Sequence, residues 1–123
     1  NIIDGGAAAG FILKFAGENQ PVFYHSGDTG VFGDMGLINE LYEPTHLLVC
    51  IGGRFTMGPR EAAYAVKKFF THRTFVYPMH FGTFPTLSGT QKEFEEELAK
   101  IDDNQSFKIV KSYEEGLGKW IEL

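Results

Sequence analysis

Three apolar segments of the chain share one feature: each reads as a β-strand that stops at glycine or at a side chain able to bind a ligand. These segments are Val22 to His25 followed by Gly27-Asp28-Thr29, His46 to Ile51 followed by Gly52-Gly53-Arg54, and Thr74 to Met79 followed by His80. Apolar residues at helical spacing lie between them, so strands and helices alternate. Strands joined by helical crossovers run parallel, and their carboxyl ends meet at one edge of the sheet. The pattern predicts an α/β fold with a ligand site at that edge.

The remaining elements follow from local signals. Phe11 to Phe15 and Val22 to His25, separated by a turn that ends at Pro21, predict a hairpin. Three helices are predicted from apolar residues at helical spacing. The first contains Leu37, Ile38 and Leu41, and the second contains Ala62, Ala63 and Val66 and extends from a cap at Thr56 to about Thr71. The third extends from Gln91 to Ile101 and contains Phe94 and Leu98. Short strands are predicted at Phe107 to Val110 and Lys119 to Leu123. The uninterrupted apolar run at His46 to Ile51 predicts a strand buried on both faces.

Length and charge exclude several classes of protein. A chain of 123 residues makes one domain or a part of one, and residues 1–123 are interpreted as a single unit. The net charge of -5, with Lys and Arg scattered along the chain, argues against an extended nucleic-acid-binding surface. No apolar run is long enough for a membrane helix, and the first residues lack a signal-peptide pattern, so we expect a cytoplasmic protein. The single cysteine, Cys50, is expected to be buried.

Asp28 and His80 are the candidate ligands. Taken alone, each could instead have a purely structural role, Asp28 as an acidic residue in a turn and His80 as a histidine at the end of a strand. Together at one sheet edge, facing a glycine-lined gap, they have the chemistry of a metal site. Strand alternation predicts that His25 points away from Asp28. Asp34 precedes a helix, where it either caps the helix or hydrogen-bonds to the Asp28 loop.

Four motifs together resemble the C-terminal half of a metallo-β-lactamase-fold hydrolase, in the branch related to L-ascorbate-6-phosphate lactonase. In order, they are Tyr24-His25-Ser26-Gly27-Asp28-Thr29-Gly30, Phe32-Gly33-Asp34-Met35, Ile51-Gly52-Gly53-Arg54-Phe55-Thr56-Met57-Gly58-Pro59 and Pro78-Met79-His80-Phe81-Gly82-Thr83-Phe84-Pro85. The matched part covers about residues 10 to 100. The resemblance implies one half of an αββα sandwich.

The resemblance also implies a role for each candidate residue. Asp28 would be the catalytic carboxylate that bridges two metal ions, and His80 would bind the second ion. The expected metals are two zinc ions, with manganese or iron as alternatives. Thr29 and Asp34 would steady the Asp28 loop. Arg54, together with the amides of Gly52 and Gly53, would bind an anionic substrate.

The family's other metal ligands form a His-x-His-x-Asp-His motif and one further histidine, all upstream of the matched part. This chain contains no such motif. It begins at Asn1, without an initiator Met, so we expect the remaining ligands to come from an upstream segment of the same protein or from a second chain. A homo-oligomer is one form that such a partnership would take.

The function implied by the resemblance is hydrolysis of an ester, lactone or phosphoester substrate by a metal-bound hydroxide. Two alternatives stay open at this point. One is a non-catalytic module that has kept the fold, and the other is an α/β domain that binds a small anion at the strand ends.

Overall fold

The structure is a computed structural model that describes residues 7–71, 74–104 and 106–110. Five strands and three helices follow one another along these residues. They are β1 (Phe11–Lys14), β2 (Val22–His25), α1 (Met35–Tyr42), β3 (His46–Cys50), α2 (Pro59–Phe69), β4 (Thr74–Met79), α3 (Gln91–Ile101) and β5 (Phe107–Ile109). The strand predicted at Lys119 to Leu123 lies outside the described residues. None of the described helices is both long enough and apolar enough to cross a membrane.

The strands form one sheet in the order β1-β2-β3-β4-β5. β1 pairs with β2 as the predicted antiparallel hairpin. The pairs β2 with β3, β3 with β4 and β4 with β5 are all parallel. Because each parallel crossover steps to the next strand in the same direction and crossovers are right-handed, all three helices lie on one face of the sheet. The expected alternation of strands and helices is therefore confirmed.

The core lies between that face and the helices. Tyr24, Leu47, Val49 and Val76 point from the sheet into a buried cluster with Ala62, Ala65, Val66, Phe94 and Leu98. The Tyr24 ring stacks on Phe70 just beyond α2. Burial raises the pKa of the Tyr24 hydroxyl to about 12, with Cys50 as a second cause. Cys50 is fully buried, as predicted.

The other face of the sheet, called the open face below, is covered by no described helix. By alternation and register, its residues are Phe11, Leu13, Phe15, Phe23, His25, His46, Leu48, Phe75, Tyr77 and Lys108. The prediction that β3 is buried on both faces is therefore wrong for the described chain. Leu47 and Val49 are buried against the helices, whereas His46 and Leu48 are only half-buried.

Two helices differ from their sequence-based description. Thr56 does not cap α2: the N-cap is Gly58, and the Thr56 hydroxyl bonds to the carbonyls of Gly53 and Met57 instead. In α1 the buried residues are Met35 and Asn39, and Leu37 and Leu41 are exposed. Asn39 can be buried here because its side-chain amide donates to the Thr71 hydroxyl and accepts from the Thr71 N–H.

Candidate metal centre

Asp28 and His80 meet at the carboxyl edge of the sheet. His80 Nε2 lies 3.6 Å from Asp28 Oδ2, although the two residues follow different strands. β3 lies between β2 and β4, and the two loops reach each other across its end. The Asp28 side chain is 64% exposed and the His80 side chain is 32% exposed, so both side chains reach the surface.

This pair has the chemistry and spacing of two ligands of one metal ion. Carboxylate oxygen and imidazole nitrogen are both common zinc ligands, and two ligands at tetrahedral angles about one zinc ion lie roughly 3.3 Å apart. The observed 3.6 Å is close to that spacing. Within the described parts of the chain, no group of three or more His, Cys, Asp or Glu side chains comes together. The pair therefore fits a metal, but as a partial ligand set.

His80 has a backbone conformation that is uncommon for residues other than glycine. Its φ is +55°, in the left-handed region, which costs a residue with a Cβ roughly 1–2 kcal/mol. Its Nδ1 atom is buried and has no hydrogen-bond partner within the described chain. Histidines that bind metals through Nε2 normally donate from Nδ1 to a nearby acceptor, and the described residues supply none for His80. A positive φ at a residue with a Cβ and a buried polar atom without a partner are nevertheless features that concentrate at functional sites.

The turn before Asp28 is fixed by the side chains of His25 and Ser26. By register His25 lies on the open face, but β2 ends there and the chain turns back at Gly27, whose φ is +64°. The N–H of Gly27 thereby donates to His25 Nδ1 at 3.1 Å. Ser26, which the sequence analysis did not single out, is 3% exposed and its hydroxyl donates to Gly27 O. The sequence feature that could have indicated this role is a small hydroxyl residue, Ser26, between an apolar strand and Gly27-Asp28.

Of the two residues predicted to steady the Asp28 loop, Thr29 is next to Asp28 and Asp34 lies five residues further along the chain. The Thr29 hydroxyl donates to Gly30 O rather than to Asp28, and the Thr29 carbonyl accepts from Met57 N at 2.8 Å. Thr29 therefore joins the Asp28 loop to the loop after β3 through its backbone. Asp34 is the N-cap residue of α1, but its side chain makes no capping hydrogen bond.

The glycines after β3 allow its end to approach the His80 loop. A Cβ at Gly52 would clash with the His80 carbonyl, and the Gly52 carbonyl accepts from Gly89 N. Gly53 has a φ of +76° and its N–H donates to Met57 O. Arg54 follows on the exposed surface, with its guanidinium 5.2 Å from the centre of the Phe55 ring. Among the described residues, no carboxylate pairs with it.

A cavity of about 110 Å³ opens beside Asp28. Its lining is formed by small residues of the segment 8–10, by Ser26 and Thr29, and by the Phe32 ring. Space for a small group is therefore present next to the carboxylate.

Several curated proteins with similar sequences carry the same name. The chain is 48% identical over 100 residues to a UPF0173 metal-dependent hydrolase of Thermodesulfovibrio yellowstonii, which is 81% of this chain and 36% of the relative. It is 50% identical over 100 residues to a UPF0173 metal-dependent hydrolase of Methanosarcina barkeri, covering 80% of this chain and 41% of the relative. A third, from Rubrobacter xylanophilus, is 44% identical over 113 residues, or 92% of this chain and 45% of the relative. No family model matches the chain.

Solved structures support the same fold. Igni18, a metallo hydrolase of Ignicoccus hospitalis, superposes with a TM-score of 0.64 at 34% identity, over 78% of this chain and 39% of Igni18. An isothiocyanate hydrolase from Delia radicum gut bacteria gives a TM-score of 0.63 at 17% identity, over 81% of this chain and 40% of that protein, and so supports the fold alone. The predicted metallohydrolase fold class is confirmed.

The described chain contains one sheet with helices on one face, and it spans between 36% and 45% of the length of the three curated relatives. The chain is thus similar in sequence to a part of the UPF0173 metal-dependent hydrolases and similar in fold to a part of the metallo hydrolase Igni18. The part it contains includes a carboxylate and an imidazole at metal-ligand spacing.

Proposed function

We propose that the chain contributes Asp28 and His80 to the active site of a metal-dependent hydrolase acting on an ester, lactone or phosphoester. The observation that carries this proposal is the approach of Asp28 Oδ2 and His80 Nε2 to 3.6 Å at the carboxyl edge of a parallel sheet. The name shared by the curated relatives, metal-dependent hydrolase, supports hydrolysis over a non-catalytic or purely anion-binding role.

The metals proposed are two zinc ions, with manganese or iron as alternatives. Bound there, they would polarise the scissile group and acidify a water molecule. Asp28 would contact both ions and His80 one of them. The other ligands would come from an upstream segment or a second chain, because a catalytic zinc ion takes about three protein ligands.

The test is metal analysis of the intact protein together with its hydrolytic activity. We expect about two divalent ions per chain, as in two-metal hydrolases. We also expect chelation to abolish hydrolysis of a panel of lactones, aryl esters and phosphodiesters, and zinc or manganese to restore it. Activity that survives complete removal of the metal would contradict the proposal.

Arg54 is proposed to bind the anionic part of the substrate. It lies on the exposed loop after β3, at the same sheet edge as Asp28, and no described carboxylate neutralises it. In the intact protein, Arg54→Ala is expected to raise KM for anionic substrates about tenfold, the effect of losing one charged hydrogen bond. Metal content and activity on neutral substrates should not change. Arg60→Ala, which removes an exposed arginine from α2, is the control, and equal effects of the two substitutions on KM would contradict the role of Arg54.

The open face is proposed to pack against a second β-sheet that the upstream segment or a second chain supplies. An aromatic stack runs across it: the centre of the His46 ring lies 4.6 Å from that of Phe23 and 5.0 Å from that of Phe75. Burial lowers the pKa of His46, so the stacked imidazole is neutral over a wider pH range. Face-to-face packing of two sheets is the usual way to bury an apolar face of this kind.

A matched pair of substitutions tests this packing. Leu48→Asp puts a charge on the open face, and Leu41→Asp puts the same charge on the exposed surface of α1. In the intact protein, Leu48→Asp should lower the free energy of unfolding by about 3 kcal/mol or more, because it buries an unpaired charge. Leu41→Asp should cost less than about 1 kcal/mol. Similar losses for both variants, measured by urea unfolding, would mean that no second sheet covers this face.

A further inference from the structure

Both backbone polar groups of Gly27 are bound by the two side chains that precede it. Its N–H donates to His25 Nδ1 at 3.1 Å, and its carbonyl accepts from the Ser26 hydroxyl at 2.8 Å. The same hydroxyl oxygen accepts from Cys50 N at 3.2 Å, which ties the turn to the end of β3. A hydroxyl has one proton to donate and can also accept, so Ser26 satisfies both contacts at once.

These two bonds hold the two peptide planes on either side of Gly27. The N–H belongs to the peptide between Ser26 and Gly27, and the carbonyl belongs to the peptide between Gly27 and Asp28. Glycine is the residue with the greatest backbone freedom, and the Gly27 φ of +64° lies in a region open to it at little cost. Fixing both planes removes that freedom. A Cβ at this position would also clash with the Ala9 carbonyl, so glycine cannot be replaced by a stiffer residue.

The direction of the Asp28 side chain depends on this turn. The Asp28 carboxylate is 64% exposed, and its one described contact is the approach to His80. Among the described residues it therefore has no hydrogen-bond donor that would aim it in the absence of a ligand. The orientation of the peptide that enters Asp28 sets where its Cβ points, and that peptide is the one held by Ser26.

We propose that His25 and Ser26 are positioning residues that clamp the Gly27 turn and thereby aim the Asp28 carboxylate at the metal position beside His80. His25 acts through Nδ1 as an acceptor, so its ring proton is on Nε2. The part of this inference that concerns the metal rests on the proposed function, whereas the clamp itself does not. A ligand presented in advance binds its metal more tightly, because less freedom is lost on binding.

The test compares His25→Leu with His25→Asn in the intact protein. The Asn Oδ1 atom can occupy the position of Nδ1 and accept from the Gly27 N–H, whereas Leu offers no acceptor. In the metal-free protein, NMR should show that the Gly27 amide hydrogen exchanges with solvent about tenfold or more faster in His25→Leu than in the unsubstituted protein. In His25→Asn the exchange rate should be close to that of the unsubstituted protein. Cobalt(II) titration, followed by visible absorption, should give a dissociation constant raised about 10–100-fold in His25→Leu and restored to within a few-fold in His25→Asn.

Three outcomes would contradict the proposed roles of His25 and Ser26. Unchanged amide exchange in His25→Leu would overturn the clamp. Faster exchange with an unchanged cobalt dissociation constant would overturn its positioning role. Equal loss of cobalt affinity in both variants would do the same, because the acceptor would then be irrelevant. A lack of cobalt binding by the unsubstituted protein would count against the proposed function, while the exchange comparison would still decide whether the clamp exists.

Discussion

Asp28→Asn is expected to empty the metal centre of the intact protein without unfolding it. Asn keeps the shape of the side chain and removes the charge that binds the ions. Asp28 lies 64% exposed on a loop, so little packing depends on it. Metal content should fall from about two ions per chain to less than one. Hydrolysis should fall more than about 100-fold, beyond the effect expected for a residue that only supports a ligand.

Asp103→Asn is the matched control for this prediction. It makes the same chemical change at an exposed residue in the turn after α3, which has no role in the proposed metal centre. Metal content should stay at the parental value. Equal metal content in the Asp28→Asn variant and the parent, determined by elemental analysis after gel filtration, would refute the proposal that Asp28 bridges the ions.

His80→Asn is expected to separate metal binding from stability. The substitution removes the imidazole ligand, so the metal content should drop. Asn, like His, enters the left-handed region more readily than most residues with a Cβ, so the backbone at φ +55° is kept. The His80 side chain is partly exposed, so the loss of its ring contacts costs little. The metal-free protein should therefore unfold within about 1 kcal/mol of the parent.

His46→Asn should give the opposite pattern. His46 lies in the aromatic stack of the open face, so its replacement should cost about 1–2 kcal/mol of stability through lost stacking and burial. Metal content should not change. The role of His80 would be contradicted if His80→Asn retained the metal, or if its metal-free form lost as much stability as His46→Asn.

Much of the fold could be predicted because its signals are local. The apolar runs gave β2, β3 and β4 with errors of about one residue, and Phe94 and Leu98 marked the buried side of α3. Short helical connections require parallel neighbours, which is enough to put the ends of three strands at one edge. The meeting of Asp28 and His80 follows from that geometry, provided that β3 lies between their strands, as it does.

Errors arose where a residue's environment depends on distant parts of the chain. Leu48 lies in an apolar strand and was therefore predicted to be buried. Its burial depends on what packs against the open face of the sheet. Thr56 resembles a helix cap, yet its hydroxyl bonds to carbonyls of its own loop and the helix begins after Gly58. Leu37 and Leu41 have helical spacing, but α1 turns Met35 and Asn39 inward because Asn39 finds a partner at Thr71.

By itself, then, the sequence determined which residues form strands and helices and which two side chains have the chemistry to bind a metal, because both depend on local pattern and residue type. The tertiary structure alone decided how those side chains are presented. The presentation depends on the bond from Gly27 N to His25 Nδ1, the bond from the Ser26 hydroxyl to Gly27 O, the bond from Cys50 N to Ser26 and the close approach of Gly52 to the His80 carbonyl. All of these need segments that are distant in sequence or a turn with a positive φ. Such contacts have no periodicity, so they are fixed only when the strands are placed side by side.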